Sequence, residues 1–236
     1  MKEMGPVLLN NMKEEIQLEA VRENGNVIQF INNPSLEVQL EAVRENGYAI
    51  QYINNPSEEV QLEAIRQNEC AIINIDNPSE EVQLEAIREN ENTIQYIDNP
   101  TIKVQLEAVK QDGYNIQFLD NPSEEVQLAA VKQNEYAIEF IDNPSEAVQL
   151  EAVRQNVRVI QYIKNPTDYI KSIMDVIETS NRTIYVLHEK DKEPLFSIGC
   201  QKNITKEYFI WRVHNTDGGL EKYPHRQEYL DIINRY

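Results

Sequence analysis

Pro56-Ser57-Glu58-Glu59-Val60-Gln61-Leu62-Glu63-Ala64-Ile65-Arg66-Gln67-Asn68 opens a stretch that closes, after a second short apolar run, at Asn77. The same wording starts again at Pro34, Pro78, Pro100, Pro122, Pro144 and Pro166, so proline returns every 22 residues without slippage. A fixed period of this length marks a solenoid, in which each unit buries its apolar face against its neighbours. Residues 12–33 form a first copy with Met12 in the proline position, and six more follow at 34–55, 56–77, 78–99, 100–121, 122–143 and 144–165. The expected fold is mainly α: a lead-in at 1–11, a right-handed α-solenoid of seven two-helix repeats at 12–165, a capping helix at 166–180, and a small ββαα, that is α+β, module at 181–236.

Within a copy, Asn55 reads as an N-cap, Pro56 as the first helical residue and Glu58 as the partner three positions on, a capping box. Asn46-Gly47 and Asp112-Gly113 signal the end of the first helix. The second helix runs from about Tyr48 to Asn54 and must stop before the next Asn-Pro. On an α-helical wheel Val38, Leu40, Ala42 and Val43 share one side with Gln39 in its middle, and Glu37, Glu41, Arg44 and Glu45 share the other. Ala49, Ile50, Tyr52 and Ile53 form the apolar arc of the second helix, leaving Tyr48 and Gln51 outside. Gln17, Gln39, Gln61, Gln83, Gln105, Gln127 and Gln149 are therefore expected to lie buried and to bond the turns or one another.

The Asn-Pro-Ser-Glu-Glu-Val-Gln-Leu-Glu-Ala-Val core resembles HEAT-like repeats and the leucine-rich-repeat variant. Val131-Lys132-Gln133-Asn134 is similar to the short repeats of uncharacterised phage, large-virus and bacterial proteins. The resemblance covers residues 12–165 and implies an α-solenoid that binds protein, with no shared catalytic residues.

Beyond Pro166 the period breaks. Asp168 to Glu178 has the apolar spacing of a helix, with Tyr169, Ile170, Ile173, Met174 and Ile177. Thr183 to His188 and Leu195 to Cys200 read as a hairpin around the charged 189–194 turn. Thr205 to His214 and Pro224 to Arg235 read as helices, separated by Asp217-Gly218-Gly219.

The net charge is −18, and the repeats carry nearly all of it: −17 for residues 12–165, 0 for 1–11 and −1 for 166–236. Such a field repels nucleic acid and anionic lipid and attracts basic partners; equally, it keeps an array soluble. At roughly 10 Å per repeat the array has about one charge per 4 Å, against one per about 1.7 Å in duplex DNA, so nucleic-acid mimicry is a version of the reading and not its core. No apolar run approaches the roughly 18 residues of a membrane span. Met1 to Asn11 holds only Val7-Leu8-Leu9, and Cys70 and Cys200 sit in unrelated contexts as free thiols, so a cytoplasmic protein is expected, in the host cytoplasm if viral.

The repeats contain no histidine, no glycine-rich phosphate loop and no Asp-rich calcium loop. Glu59 and Glu63 lie one turn apart, but their recurrence in most copies fits a solvated face partly balanced by Arg66 better than an acid–base pair. His188, His214, His225 and Cys200 all fall in the C-terminal module, at spacings that match no zinc motif. Catalysis there by His214 or His225 with Asp217 or Arg226, or anion binding at Pro224-His225-Arg226, is the alternative to a plain capping module.

The expected function is non-enzymatic, without cofactor or metal: binding, and inhibition, of a basic or nucleic-acid-handling host protein. Direct binding to nucleic acid or membrane is not expected. The predicted contact residues are Glu37, Glu41, Glu59, Glu63, Glu81 and Glu85 on an acidic ridge that also holds Glu15, Glu19 and Glu107, with Tyr48, Tyr114 and Tyr136 on the opposite, variable face. Reversing Glu59, Glu63, Glu81 and Glu85 to Lys is expected to abolish binding with little loss of folding. The alternative is an enzyme or small-ligand binder with its site in 181–236 and the solenoid as a targeting arm.

Overall fold

A computed structural model describes residues 9–10, 12–179, 182–199, 201–215 and 226–236. Seven helix pairs follow one another. The α-helices are α1 (Glu14–Glu23), α2 (Leu36–Glu45), α3 (Glu58–Gln67), α4 (Glu80–Glu89), α5 (Ile102–Gln111), α6 (Glu124–Gln133) and α7 (Glu146–Gln155). Each is followed by a six-residue helix, Gly25–Phe30 in the first pair, Gly47–Tyr52 in the second and Val157–Tyr162 in the last. The chain forms two compact units, Met1–Asp120 and Asn121–Tyr236.

The two helices per repeat are as expected, but the short ones are 3₁₀, which corrects the α-helical angle used to read their faces. At three residues per turn, Gly47, Ile50 and Ile53 align in one buried row and Tyr48 and Gln51 in an outward row. The third row holds Ala49, which is buried, and Tyr52, whose ring is 38% exposed. Placing Tyr52 in the buried arc assumed the α-helical angle, and the tighter winding undoes it.

Capping also differs from expectation. Ser57, not Asn55, is the N-cap of α3, and its hydroxyl accepts from Val60 N. Asn55 instead takes a left-handed φ of 50°, as do Asn33, Asn77, Asn99 and Asn121 at nearly the same value. Asparagine tolerates that region better than other side chains with a Cβ, so it closes the tight turn ahead of proline. Asn46 ends α2 in an extended conformation, and its side chain accepts from Tyr48 N to start the 3₁₀ helix. Gly47 is not a left-handed C-cap. A Cβ there would meet the Ala64 carbonyl oxygen at 2.6 Å, so glycine lets consecutive repeats approach.

Apolar columns fill the interior: Val38, Val60, Val82 and Val104 are fully buried, as are Ala42, Ala64, Ala86 and Ala108. The glutamine column bonds the turns as predicted, but only Gln83 and Gln149 are buried as expected; Gln17, Gln39, Gln61, Gln105 and Gln127 are half-buried. Gln39, Gln61, Gln83 and Gln105 each donate through Nε2 to the carbonyl of Pro34, Pro56, Pro78 or Pro100 at 2.9 Å. Each amide thus ties a helix to the turn that precedes it.

In the second unit the seventh pair leads into α8 (Asp168–Ile173), a single short helix. The predicted helix to Glu178 is replaced there by a strand. A four-stranded antiparallel meander follows, β1 (Met174–Glu178), β2 (Thr183–Leu187), β3 (Leu195–Ile198) and β4 (Gln201–Thr205), in the order β1-β2-β3-β4. Met174 pairs with Leu187 and Glu178 with Thr183. The module therefore starts at β1, ahead of residue 181, and has four strands in place of two. Thr205 caps α9 (Lys206–Asn215) as expected, accepting from Tyr208 N, and α10 (Arg226–Ile233) closes the chain. Ile184, Val186 and Phe196 of the sheet pack with Phe209 and Val213 of α9 and with Tyr229, Leu230, Ile232 and Ile233 of α10.

Candidate interaction surfaces

The predicted acidic ridge separates into two kinds of carboxylate. Glu41, Glu63 and Glu85 are only 24%, 20% and 15% exposed at the side chain, and each binds an arginine of the preceding repeat. Arg22 Nε lies 2.9 Å from Glu41 Oε1, Arg44 Nε 3.2 Å from Glu63 Oε1 and Arg66 Nε 2.8 Å from Glu85 Oε1. The hydrogen bond from Arg66 holds the Glu85 carboxyl below its usual range despite partial burial. These three are rungs between repeats and not a free ridge. Arg66 reaches forward to Glu85 of the next helix, and Glu63 adds only a weaker Coulombic pull. Reversing Glu63 and Glu85 to Lys would set like charges against Arg44 and Arg66, so the four-residue reversal disturbs packing as well as any binding.

Arg88 breaks the series. It bonds Glu81 and Glu85 within its own helix, both at 3.3 Å, and leaves Glu107 without a cationic partner among the described residues. Glu37 and Glu59 are exposed and also have no ion pair there. Glu80 is engaged by Thr101 and Lys103, whose hydrogen bonds lower its pKa.

On the opposite face Tyr48 is 37% exposed; burial first, then the neighbouring Cys70 thiol, push its hydroxyl up. Tyr114 is 36% exposed. Tyr136 is not available as predicted. Its hydroxyl accepts from Asn156 at 3.0 Å, Tyr162 packs against its ring edge-on, and Lys202 Nζ sits 5.3 Å from its centroid.

Sequence reasoning missed a second surface. The last residue of successive 3₁₀ helices is Phe30, Tyr52, Asn74, Tyr96 and Phe118, and Tyr52, Tyr96 and Phe118 are exposed. Two residues on, the turn carries Asn32, Asn54, Asp76, Asp98 and Asp120. These three aspartates are exposed and have no ion-pair or hydrogen-bond partner among the described residues. Both columns recur at the 22-residue period and were visible in the sequence. The α-helical wheel hid the first by burying Tyr52.

The C-terminal module seals the last repeat. Arg154 grips Glu189 through two nitrogens, holding that carboxyl low, and Arg158 donates to the Gly199 carbonyl. Asn203 donates to the Arg154 carbonyl and accepts from Val157 N. Lys202 reaches Glu135 at 2.6 Å; burial opposes the Glu135 charge, but this bond outweighs it. Of the histidines, His188 lies 3.1 Å from Asp175, which also accepts from the Tyr236 hydroxyl, and His214 is exposed at the end of α9. Arg226 donates to the Val213 carbonyl. Cys200, Asp217, Pro224 and His225 lie outside the described residues, and among the described ones no three His, Cys, Asp or Glu side chains gather within metal-binding reach. No described helix is long and apolar enough to cross a membrane.

The fold defines a tandem helical-repeat protein. A family model described as a domain of unknown function, DUF4116, matches residues 13–55 and again 102–144. Each match is one residue short of two 22-residue periods, and together they cover less than half of the chain. No HEAT or leucine-rich-repeat family is identified. No curated protein and no solved structure matches the chain.

Proposed function

We propose that this is a non-enzymatic repeat protein that binds a basic surface of another macromolecule, a protein and not a nucleic acid. The observation that supports this is the division of carboxylates in the first unit. Arginines neutralise Glu41, Glu63 and Glu85, while Glu37, Glu59, Asp76, Asp98 and Asp120 keep their charge exposed without a cationic partner among the described residues. Aligned free carboxylates weaken a fold slightly and speed capture of a positive partner. The likeness to phage and viral repeats extends the reading to inhibition of a host protein, with the C-terminal module as the cap that ends the array.

One observation favours the alternative site in the C-terminal region, the chain of His188, Asp175 and Tyr236. Burial, then the bond to Asp175, pushes the Tyr236 hydroxyl up to about 12, so it stays a proton donor that ties the chain end to β1. That suits a clamp better than a catalytic acid.

The test is affinity capture from the natural host, read by mass spectrometry, comparing the wild type with a variant carrying Glu37→Lys, Glu59→Lys, Asp98→Lys and Asp120→Lys. Loss of one partner at retained helicity, together with release of that partner from the wild type by salt, supports the reading. A partner held equally by both proteins ends it.

A further inference from the structure

Between the fourth and fifth repeats the two overlooked columns meet at a cleft of about 500 Å³. Its walls include Asp98, Asn99, Gln105, Phe118 and Asp120. Two carboxylates and an aromatic ring therefore share one lining. A bare carboxylate pair would take any cation. A ring beside the pair selects a planar one, because a guanidinium stacks on an aromatic face while its edge forks onto carboxylate.

The columns also bear on the form of the ligand. Successive α-helices in this unit pack side by side, at a spacing of roughly 8–10 Å for helices in contact. A polyproline II segment turns once in three residues and rises about 9 Å per turn. It would present one side chain per repeat to the aspartate column of Asp76, Asp98 and Asp120.

We infer that the turn edge of repeats three to five is a docking groove for an extended basic segment with arginine at every third position, one guanidinium entering the cleft between Phe118, Asp98 and Asp120. The inference rests on the basic-partner reading above and narrows it to a face and a chemistry.

The experiment uses the full chain and two fluorescein-labelled peptides of identical composition. One has five Arg-Pro-Pro triplets, and the other has its five arginines contiguous. Fluorescence anisotropy should show the periodic peptide binding about tenfold more tightly, and Phe118→Ala with Asp98→Asn should remove that preference. Asp98→Asn alone, which leaves all packing in place, should reduce it severalfold. Equal binding of the two peptides, or a preference that survives the double variant, overturns the groove and leaves the basic-partner reading standing if that binding weakens with salt. Failure of both peptides to bind overturns both.

Discussion

The repeats and the C-terminal module are held together in different ways. In the repeats each kind of contact recurs: Arg22 with Glu41, Arg44 with Glu63 and Arg66 with Glu85 all join residues 19 apart, and each glutamine bonds the carbonyl five residues before it. In the module the contacts do not recur, and some span a long stretch, such as Lys202 to Glu135 across 67 residues or Tyr236 to Asp175 across 61. Periodic contacts make stability a sum of similar small terms, whereas unique ones make it cooperative. A change in one repeat should therefore be felt locally, and a change in the module's core should be felt throughout it.

The largest expected effect tests that contrast at its strongest point. Phe196 is fully buried and meets Phe209 edge-to-face at 5.8 Å. Phe196→Ala should cost about 3–5 kcal/mol and expose the amides of β2, β3 and α9 together to hydrogen exchange. Val82→Ala in the fourth repeat should cost only about 1–2 kcal/mol, with exchange confined to that repeat and its neighbours. Equal spread of exchange in the two variants would erase the distinction.

A middle-sized effect separates two copies of one repeat position. Gln149 uses both ends of its amide, donating to the Pro144 carbonyl and accepting from Thr167 N, each at 2.9 Å. Gln83 donates to the Pro78 carbonyl, while its Oε1 is buried without a partner among the described residues. Gln149→Leu orphans a donor and an acceptor and should cost about 2–3 kcal/mol; Gln83→Leu orphans one acceptor and should cost about 1 kcal/mol. Urea titration of both variants decides it, and a larger loss for Gln83→Leu would reverse the ranking.

The smallest concerns pH. The folded protein holds the Tyr236 proton to about 12, above the ordinary value of 10.0, so its contribution is complete below pH 10 and fades as pH rises from 10 to 12. With the group partly exposed, the loss should be about 1 kcal/mol. Thermal melts of wild type and Tyr236→Phe should converge over that window. Parallel curves would show that the hydroxyl is not held by Asp175.

Much of the array was legible because its determinants are local. Proline, the asparagine before it and the serine after it shape each turn, and Gln61 sits where a helix must point it at the Pro56 carbonyl. The roles of Asn55, Pro56 and Gly47 were misassigned: an N-cap and a left-handed turn residue draw on the same side chains, Pro56 precedes the cap Ser57 and is not the first helical residue, and Gly47 serves close approach and not a C-cap. The 3₁₀ winding was less legible: six residues are too few to reveal their period, and the error carried Tyr52 and its column to the wrong side. The candidate site suffered for the same reason, since the unpaired aspartates lie beside that column.

By itself the sequence determined the repeat length, the number of helix pairs, the buried valine and alanine columns, the bonding of the glutamines and the acidity of the array, since each follows from a pattern shorter than one period or from a simple count. Tertiary structure decided which carboxylates stay free, because whether Glu63 faces water or Arg44 depends on how one helix is offset against the next. It also decided that Met174–Glu178 is a strand. Its apolar spacing suits a helix, but pairing with Thr183–Leu187 satisfies its backbone and places it in the sheet that closes the last repeat.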